Sequence, residues 1–301
     1  MVTSYSIFIH SKMRTLSILL LLMIFASCKS NKKEENAKDT WVSLWNGKNL
    51  SGWHTYLGTP YLIDKDSLGN IIAPYGIDND PLGVIKVVET DQGKAIRISG
   101  VAWGMIYTDK DYKNYHLKLK VKWGEEMHPP REKGPRDSGL LYHGFGPPGS
   151  ANNWMSSQEL QIQQGDMGDY WPVGDVEIDI PSIPKDDKYY IYKENAPLRT
   201  YYLAQILQTA VDDSLAKRRV FKAFDAERPH GKWNDVELIT YGNTSIHIVN
   251  GKVVMRLFNS RHMIYKTPLR SGKIILQSEG AEVFYKDLFV KPIREIPAEY
   301  K

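Results

Sequence analysis

The 301-residue chain holds a single cysteine, Cys28. One thiol excludes an internal disulfide framework and any zinc centre that needs several thiolates. Charge of one sign is also lacking: 39 basic and 35 acidic residues leave a formal net charge of +4, and the basic residues are scattered. Without a long Lys/Arg face, nucleic acid is not an expected partner. The sequence has no GxSxG elbow, no P-loop and no dinucleotide GxGxxG, and it has neither HExxH nor EF-hand spacing. Catalytic-triad acyl transfer, phosphoryl transfer and Rossmann redox chemistry therefore lack support, and no nucleotide cofactor is expected. Long apolar runs are scarce. The clearest, residues 16–26 (LSILLLLMIFA), falls short of the roughly 20 residues that a helix needs to span a bilayer.

What is there at the amino terminus reads as an address. Lys12 and Arg14 precede the short apolar run, the order of a secretory signal. Phe25-Ala26-Ser27-Cys28 then resembles a bacterial lipobox, which implies cleavage before Cys28 and lipid attachment to its thiol. Residues 1–27 form the expected signal peptide. Residues 28–40 are almost devoid of apolar side chains and read as a lipid-anchored flexible linker. The expected location is the cell envelope, on the periplasmic or surface face of a bacterial membrane, with the lipid as the only membrane contact.

From residue 41 to 301 the pattern has period two. In residues 116–123 (HLKLKVKW), Leu117, Leu119, Val121 and Trp123 share one face, while His116, Lys118, Lys120 and Lys122 share the other. Such alternation marks a strand with one buried face. Residues 236–241, 245–249 and 252–257 read as further strands, the last two joined by Asn250-Gly251, a strong type I′ hairpin signal. Residues 273–278 and 282–290 read as a closing pair. Residues 204–224 are the best helix candidate, with ragged apolar spacing. Many short strands between Gly, Pro, Asn and Asp clusters point to an all-β fold, an antiparallel sandwich or jelly roll. The long inserts 59–81, 128–135 and 180–187 are expected to wall a cleft.

Chemistry is expected where a strand breaks the rule of one polar, solvated face. In residues 158–164 (QELQIQQ), Leu160 and Ile162 point one way, and Glu159, Gln161 and Gln163 the other. Such a polar ladder suits sugar hydroxyls, which both donate and accept; a solvent-exposed sheet face is the plain alternative. Trp154 precedes this strand and Trp171 follows it, each able to stack on a sugar ring. Residues 138–143 (SGLLYH) place Leu141 and His143 on one face. Asp175, Glu177 and Asp179 form an acidic ladder, either solvent-facing or, with His143, a site for a divalent cation.

At these residues the sequence resembles the 3-keto-disaccharide hydrolase, or 3-keto-glucoside lyase/hydratase, domain family. The resemblance rests on residues 41–53 (WVSLWNGKNLSGW), 136–144 (RDSGLLYHG), 158–171 (QELQIQQGDMGDYW), 232–253 and 272–292 (GKIILQSEGAEVFYKDLFVKP), in family order. It implies a concanavalin-like jelly roll of two curved antiparallel sheets. It also implies cleavage of oxidised di- or oligosaccharides or glycosides: a C3 ketone acidifies the C2 proton, a base removes it, and the C1 substituent is expelled. Hydration of the resulting 2-hydroxy-glucal would complete a net hydrolysis. On that reading Glu159 is the catalytic base or acid and His143 polarises the C3 oxygen, directly or through a metal. Gln161 and Gln163 hold hydroxyls, Trp154 and Trp171 stack on rings, and Glu279 is a further acid candidate in contact with substrate. A non-catalytic carbohydrate-binding module and an ordinary glycoside hydrolase are the alternatives.

Overall fold

A computed structural model describes residues 40–203 and 219–301. The lipobox with Cys28, and most of the helix candidate 204–224, lie outside the described residues. Among those described, the chain is almost entirely strand, with one short 3-10 turn at Ala298–Tyr300. The first seven strands are β1 (Val42–Ser43), β2 (Trp53–Pro60), β3 (Gly76–Ile77), β4 (Ile85–Thr90), β5 (Gly93–Ile98), β6 (Ala102–Thr108) and β7 (Tyr115–Met127). Then come β8 (Asp137–Phe145), β9 (Ser156–Gln163), β10 (Tyr170–Val173), β11 (Val176–Pro184), β12 (Tyr190–Tyr192), β13 (Leu198–Tyr202) and β14 (Val220–Phe221). The chain closes with β15 (Asn234–Tyr241), β16 (Thr244–Val249), β17 (Lys252–His262), β18 (Lys273–Ser278) and β19 (Ala281–Pro292).

Two antiparallel sheets result. The first runs β4–β5–β19–β7–β15–β16–β17, with β1 beside the end of β19. The second runs β3–β2–β6–β18–β8–β9–β10. β17 outruns the first sheet, and its Phe258–His262 end pairs with β11. One core lies between the layers: Leu117, Leu119, Val121, Val236, Leu238, Val283 and Tyr285 face Leu57, Ile106, Leu140, Leu160, Ile162 and Leu276. This is a jelly-roll sandwich, and period-two alternation built it, because each strand has one face for that core.

The Asn250-Gly251 hairpin forms as read. Both residues have positive φ, 49° and 76°, and Val249 pairs with Lys252 across the turn. The closing pair does not form. β18 pairs with β6 and β8 in the second sheet, and β19 with β5 and β7 in the first. Between them Gly280, at φ 82°, carries the chain from one sheet to the other. Both strands look like hairpin partners because each has an inward face, but those faces belong to opposite layers.

Two buried hydrogen bonds pin the layers in register. Ser138 on β8 meets the Tyr285 hydroxyl on β19 at 2.7 Å, and the Tyr142 hydroxyl meets Ser245 on β16 at 2.8 Å. Leu160, fully buried between the sheets, is the inward neighbour of the polar ladder on β9. Leu160→Ala is expected to cost about 2–5 kcal/mol through lost burial and the cavity left behind, read as a lower midpoint in urea unfolding.

Candidate active site

The cross-strand register of the second sheet composes the site. Glu159 on β9 stands opposite Leu141 on β8 and Trp171 on β10. One pleat along, Gln161 stands opposite Gly139, and the next pairs Gln163 with Asp137. On the far side of β8, β18 brings Gln277 and Glu279 to the same face, next to Trp103 on β6. Directly opposed residues in an antiparallel pair point to one face, so these side chains converge. They line a cleft of about 360 Å³, with Arg131, Trp154, Arg219 and the Trp171–Gly174 edge as walls.

Gly139 makes room for the polar ends of two cleft residues. Its φ is ordinary, so the glycine is there for space: a Cβ would collide with Gln277 Oε1, Glu159 Oε1 and the Leu141 side chain. Around that gap several buried polar atoms have no hydrogen-bond partner among the described residues: Trp103 Nε1, Asp137 Oδ1, Gln161 Oε1, Trp171 Nε1 and Gln277 Oε1. Donors and acceptors left open together around one cleft match a ligand rich in hydroxyls, because an unmet buried group costs about 1–3 kcal/mol until something bonds to it.

Three carboxyl groups share this floor with one nearby guanidinium. Arg131 Nη2 contacts Asp137 Oδ2 at 2.6 Å and also bonds Glu279. Gln163 Nε2 donates to Asp137 Oδ2 at 2.6 Å. Glu159 takes no hydrogen bond among the described residues. Burial, then the Glu279 and Asp137 charges, push its carboxyl well above the usual range, with Arg131 opposing. Burial also raises Glu279, aided by Asp137, and raises Asp137 against the pull of Arg131. Two carboxylates on one nitrogen sit within about 5 Å, where repulsion is roughly 3 kcal/mol at an effective dielectric of 20. Negative charge on Glu159 is therefore resisted, and its carboxyl ionises only above the ordinary carboxylate range.

The sequence-derived residues divide. Glu159, Gln161, Gln163, Trp154, Trp171 and Glu279 all line the cleft. Trp154 is fixed by an Nε1 bond to the Gly104 carbonyl and stacks on Trp103 at 5.6 Å. His143 requires correction: it does not line the cleft with Glu159. The register slips between Tyr142 and Phe145, and His143 adopts φ 54°, so the alternation from Leu141 is broken. Its ring is buried with both nitrogens unpartnered, and burial lowers its pKa to about 4, which leaves it neutral.

The acidic ladder is corrected too. Arg261 and Lys266 take Glu177, while Arg261, Thr200 and Asn259 take Asp179, so these groups brace β11 against its neighbours. They do not gather with His143. Among the described residues no group of three His, Cys, Asp or Glu side chains is placed to hold a metal ion. Of the long inserts, only 128–135 reaches the cleft, through Arg131; Ala151 and Asn152 of the β8–β9 connection supply a wall that the sequence did not flag. Asp137 and Gln277 were missed although alternation places them with Gly139 and Glu279. Arg131 and Arg219 lie outside regular strands, where period two says nothing.

The model of the 3-keto-alpha-glucoside-1,2-lyase-like domain matches residues 40–291. The chain belongs to that family. Family membership makes the protein carbohydrate-active and, at a coarse level, a glycoside-cleaving enzyme. No curated protein matches the chain. Among solved structures, a Parabacteroides distasonis protein provisionally described as a glycosyl hydrolase shares 18% identity, covering 84% of this chain and 94% of its own, at a TM-score of 0.47. A second from that organism, described the same way, shares 15%, covering 84% and 100%, at 0.43. The carbohydrate binding module CBM66 from Bacillus subtilis shares 8%, covering 69% and 91%, at 0.36.

Gly139→Ala tests the hollow. The added methyl displaces Glu159 and Gln277, so affinity for a saccharide ligand should fall at least about tenfold, and overpacking should lower stability by about 1–3 kcal/mol, read as a lower melting temperature. Titration calorimetry alongside a thermal scan checks both.

Proposed function

We propose that this enzyme cleaves 3-keto-glycosides by elimination, and that the same cleft hydrates the resulting 2-hydroxy-glucal. The observation that carries the reading is the unequal carboxyl set: Glu159 lines the cleft with no hydrogen-bond partner among the described residues and its ionisation is opposed by burial, while Asp137 and Glu279 lean on Arg131. Elimination from a ketone needs one group that accepts the C2 proton and one that donates to the departing oxygen. Environments that push neighbouring carboxyl groups apart supply that pair.

Asp137, the member of the Arg131-bound pair that burial raises less, takes the C2 proton as its carboxylate, and the C–H electron pair moves toward C3, placing negative charge on the C3 oxygen. As the C3 carbonyl re-forms, a C1=C2 double bond develops and the C1–O bond breaks. Glu159 gives its proton to the leaving oxygen, so the product is an alcohol and not an alkoxide. In the hydration step Glu159, now ionised, draws a proton from water as oxygen joins C1, and C2 is reprotonated by the other carboxyl. Gln161, Gln163 and the two indole N–H groups of Trp103 and Trp171 hold the sugar hydroxyls. The residues that touch substrate need no help from His143, whose neutral, enclosed ring belongs to the fold. The enzyme is placed at the cell envelope by acylation of Cys28.

Paired 3-keto and unoxidised glucosides with the same aglycone test the reading. Turnover of the ketone alone supports it; equal turnover of both identifies an ordinary glycosidase, and binding without turnover a carbohydrate-binding module. Glu159→Gln preserves size but carries no transferable proton, and should lower kcat on the ketone by about 10²–10⁴-fold. Wild-type turnover by that variant would remove Glu159 from the mechanism.

A further inference from the structure

With His143 outside the cleft, the charge that develops on the C3 oxygen needs another partner. We infer that Arg131 is the catalytic residue that holds the C3 oxygen and makes the cleft select ketones over alcohols; this rests on the elimination reading above. Among the described residues two cations line the cleft, Arg131 and Arg219. Arg219 spends Nε and Nη2 on Asp169, at 2.8 and 2.6 Å, and Nη2 also on Asp166 at 2.7 Å. Arg131 meets both its carboxylates through Nη2 alone. Its Nε–H and Nη1–H take no partner among the described residues, and its side chain retains 27% exposure at the cleft.

The guanidinium is held before substrate arrives. The Arg131 backbone N–H donates to His128 O and its carbonyl accepts from Gly134, each at 2.9 Å, which fixes a tight turn. Gly280 leaves room for the stem: a Cβ there would sit 2.7 Å from Arg131 Cγ and 2.9 Å from Cβ. The guanidinium lies over the Trp103 ring at 5.6 Å. A cation locked by a turn, a glycine, an indole and two carboxylates offers its spare donors in a fixed direction, and fixed donors aimed at developing charge are a strong source of catalysis. The preference for a ketone follows from chemistry. A carbonyl oxygen only accepts and gains negative charge on enolisation, whereas a C3 hydroxyl never gains that charge.

The test uses 1,5-anhydroglucitol and its 3-keto derivative. The derivative has no leaving group at C1, so it binds and enolises without eliminating. The full chain is expected to bind the ketone about 10–100-fold more tightly than the alcohol, and to exchange the C2 hydrogen for solvent deuterium. Arg131→Met should bring the affinity ratio to within about twofold of unity and suppress exchange, and Arg131→Lys should restore part of the ratio. A purely structural Arg131 would weaken ketone and alcohol together and leave the ratio at its wild-type value, which overturns the inference. So does a wild-type enzyme with no ketone preference. Should Arg131→Met fail to fold, the ratio in Arg131→Lys decides: a value unchanged from wild type is contrary. Failure here is distinct from failure of the elimination reading, because wild-type turnover of the complete 3-keto-glucoside is measured separately.

Discussion

Three buried carboxyl groups beside one shared guanidinium set the character of this protein. Asp137 and Glu279 lie on the same nitrogen of Arg131, and Glu159 stands near them with no side-chain hydrogen bond among the described residues. Water would let all three ionise. A cleft walled by indoles and glutamines does not, because desolvation raises the cost of each added negative charge. The outcome is a cleft in which the protonated form of Glu159 is favoured beside two acids held by Arg131.

The fold supplies it through two properties of β9. One face, Leu160 and Ile162, is pressed into the interior, while the other, Glu159, Gln161 and Gln163, is turned outward. Burial of the first face fixes the second to within a pleat, since a slip of one residue would exchange them. The β8 neighbour is anchored by Ser138 to Tyr285 and by Tyr142 to Ser245, links that cross the sandwich. On β8, Gly139 contributes an absence, and the end groups of Glu159 and Gln277 occupy it. Rigid strands and a missing side chain together give a hollow lined by groups whose hydrogen-bonding capacity is unspent.

Much of this was legible in the residues. Alternation revealed the sandwich, the Asn250-Gly251 turn and the polar ladder, because each is a short-range consequence of backbone geometry. Glu279 was recognisable beside the apolar run of β18. Other features depend on relations that a linear pattern does not carry. β18 and β19 follow one another in sequence yet lie in different layers. His143 obeys the alternation of β8 on paper, but a bulge redirects it. The acids of β11 resemble a cation site until Arg261 and Lys266, more than 80 residues later, arrive to neutralise them. Arg131 sits among prolines with no period to mark it. Tertiary pairing decided each of these cases.

Elimination of the proposed kind depends most on the ionisation of Glu159 in the free enzyme. Carbon-13 NMR of side-chain carboxyl groups, with Glu159→Gln to assign the resonance, reports that state directly as pH is varied. The Glu159 signal is expected at the position of a neutral carboxyl at pH 7, titrating only above the ordinary range because burial and two neighbouring acids oppose its charge. A Glu159 resonance that titrates near pH 4 and is fully ionised at pH 7 would contradict it.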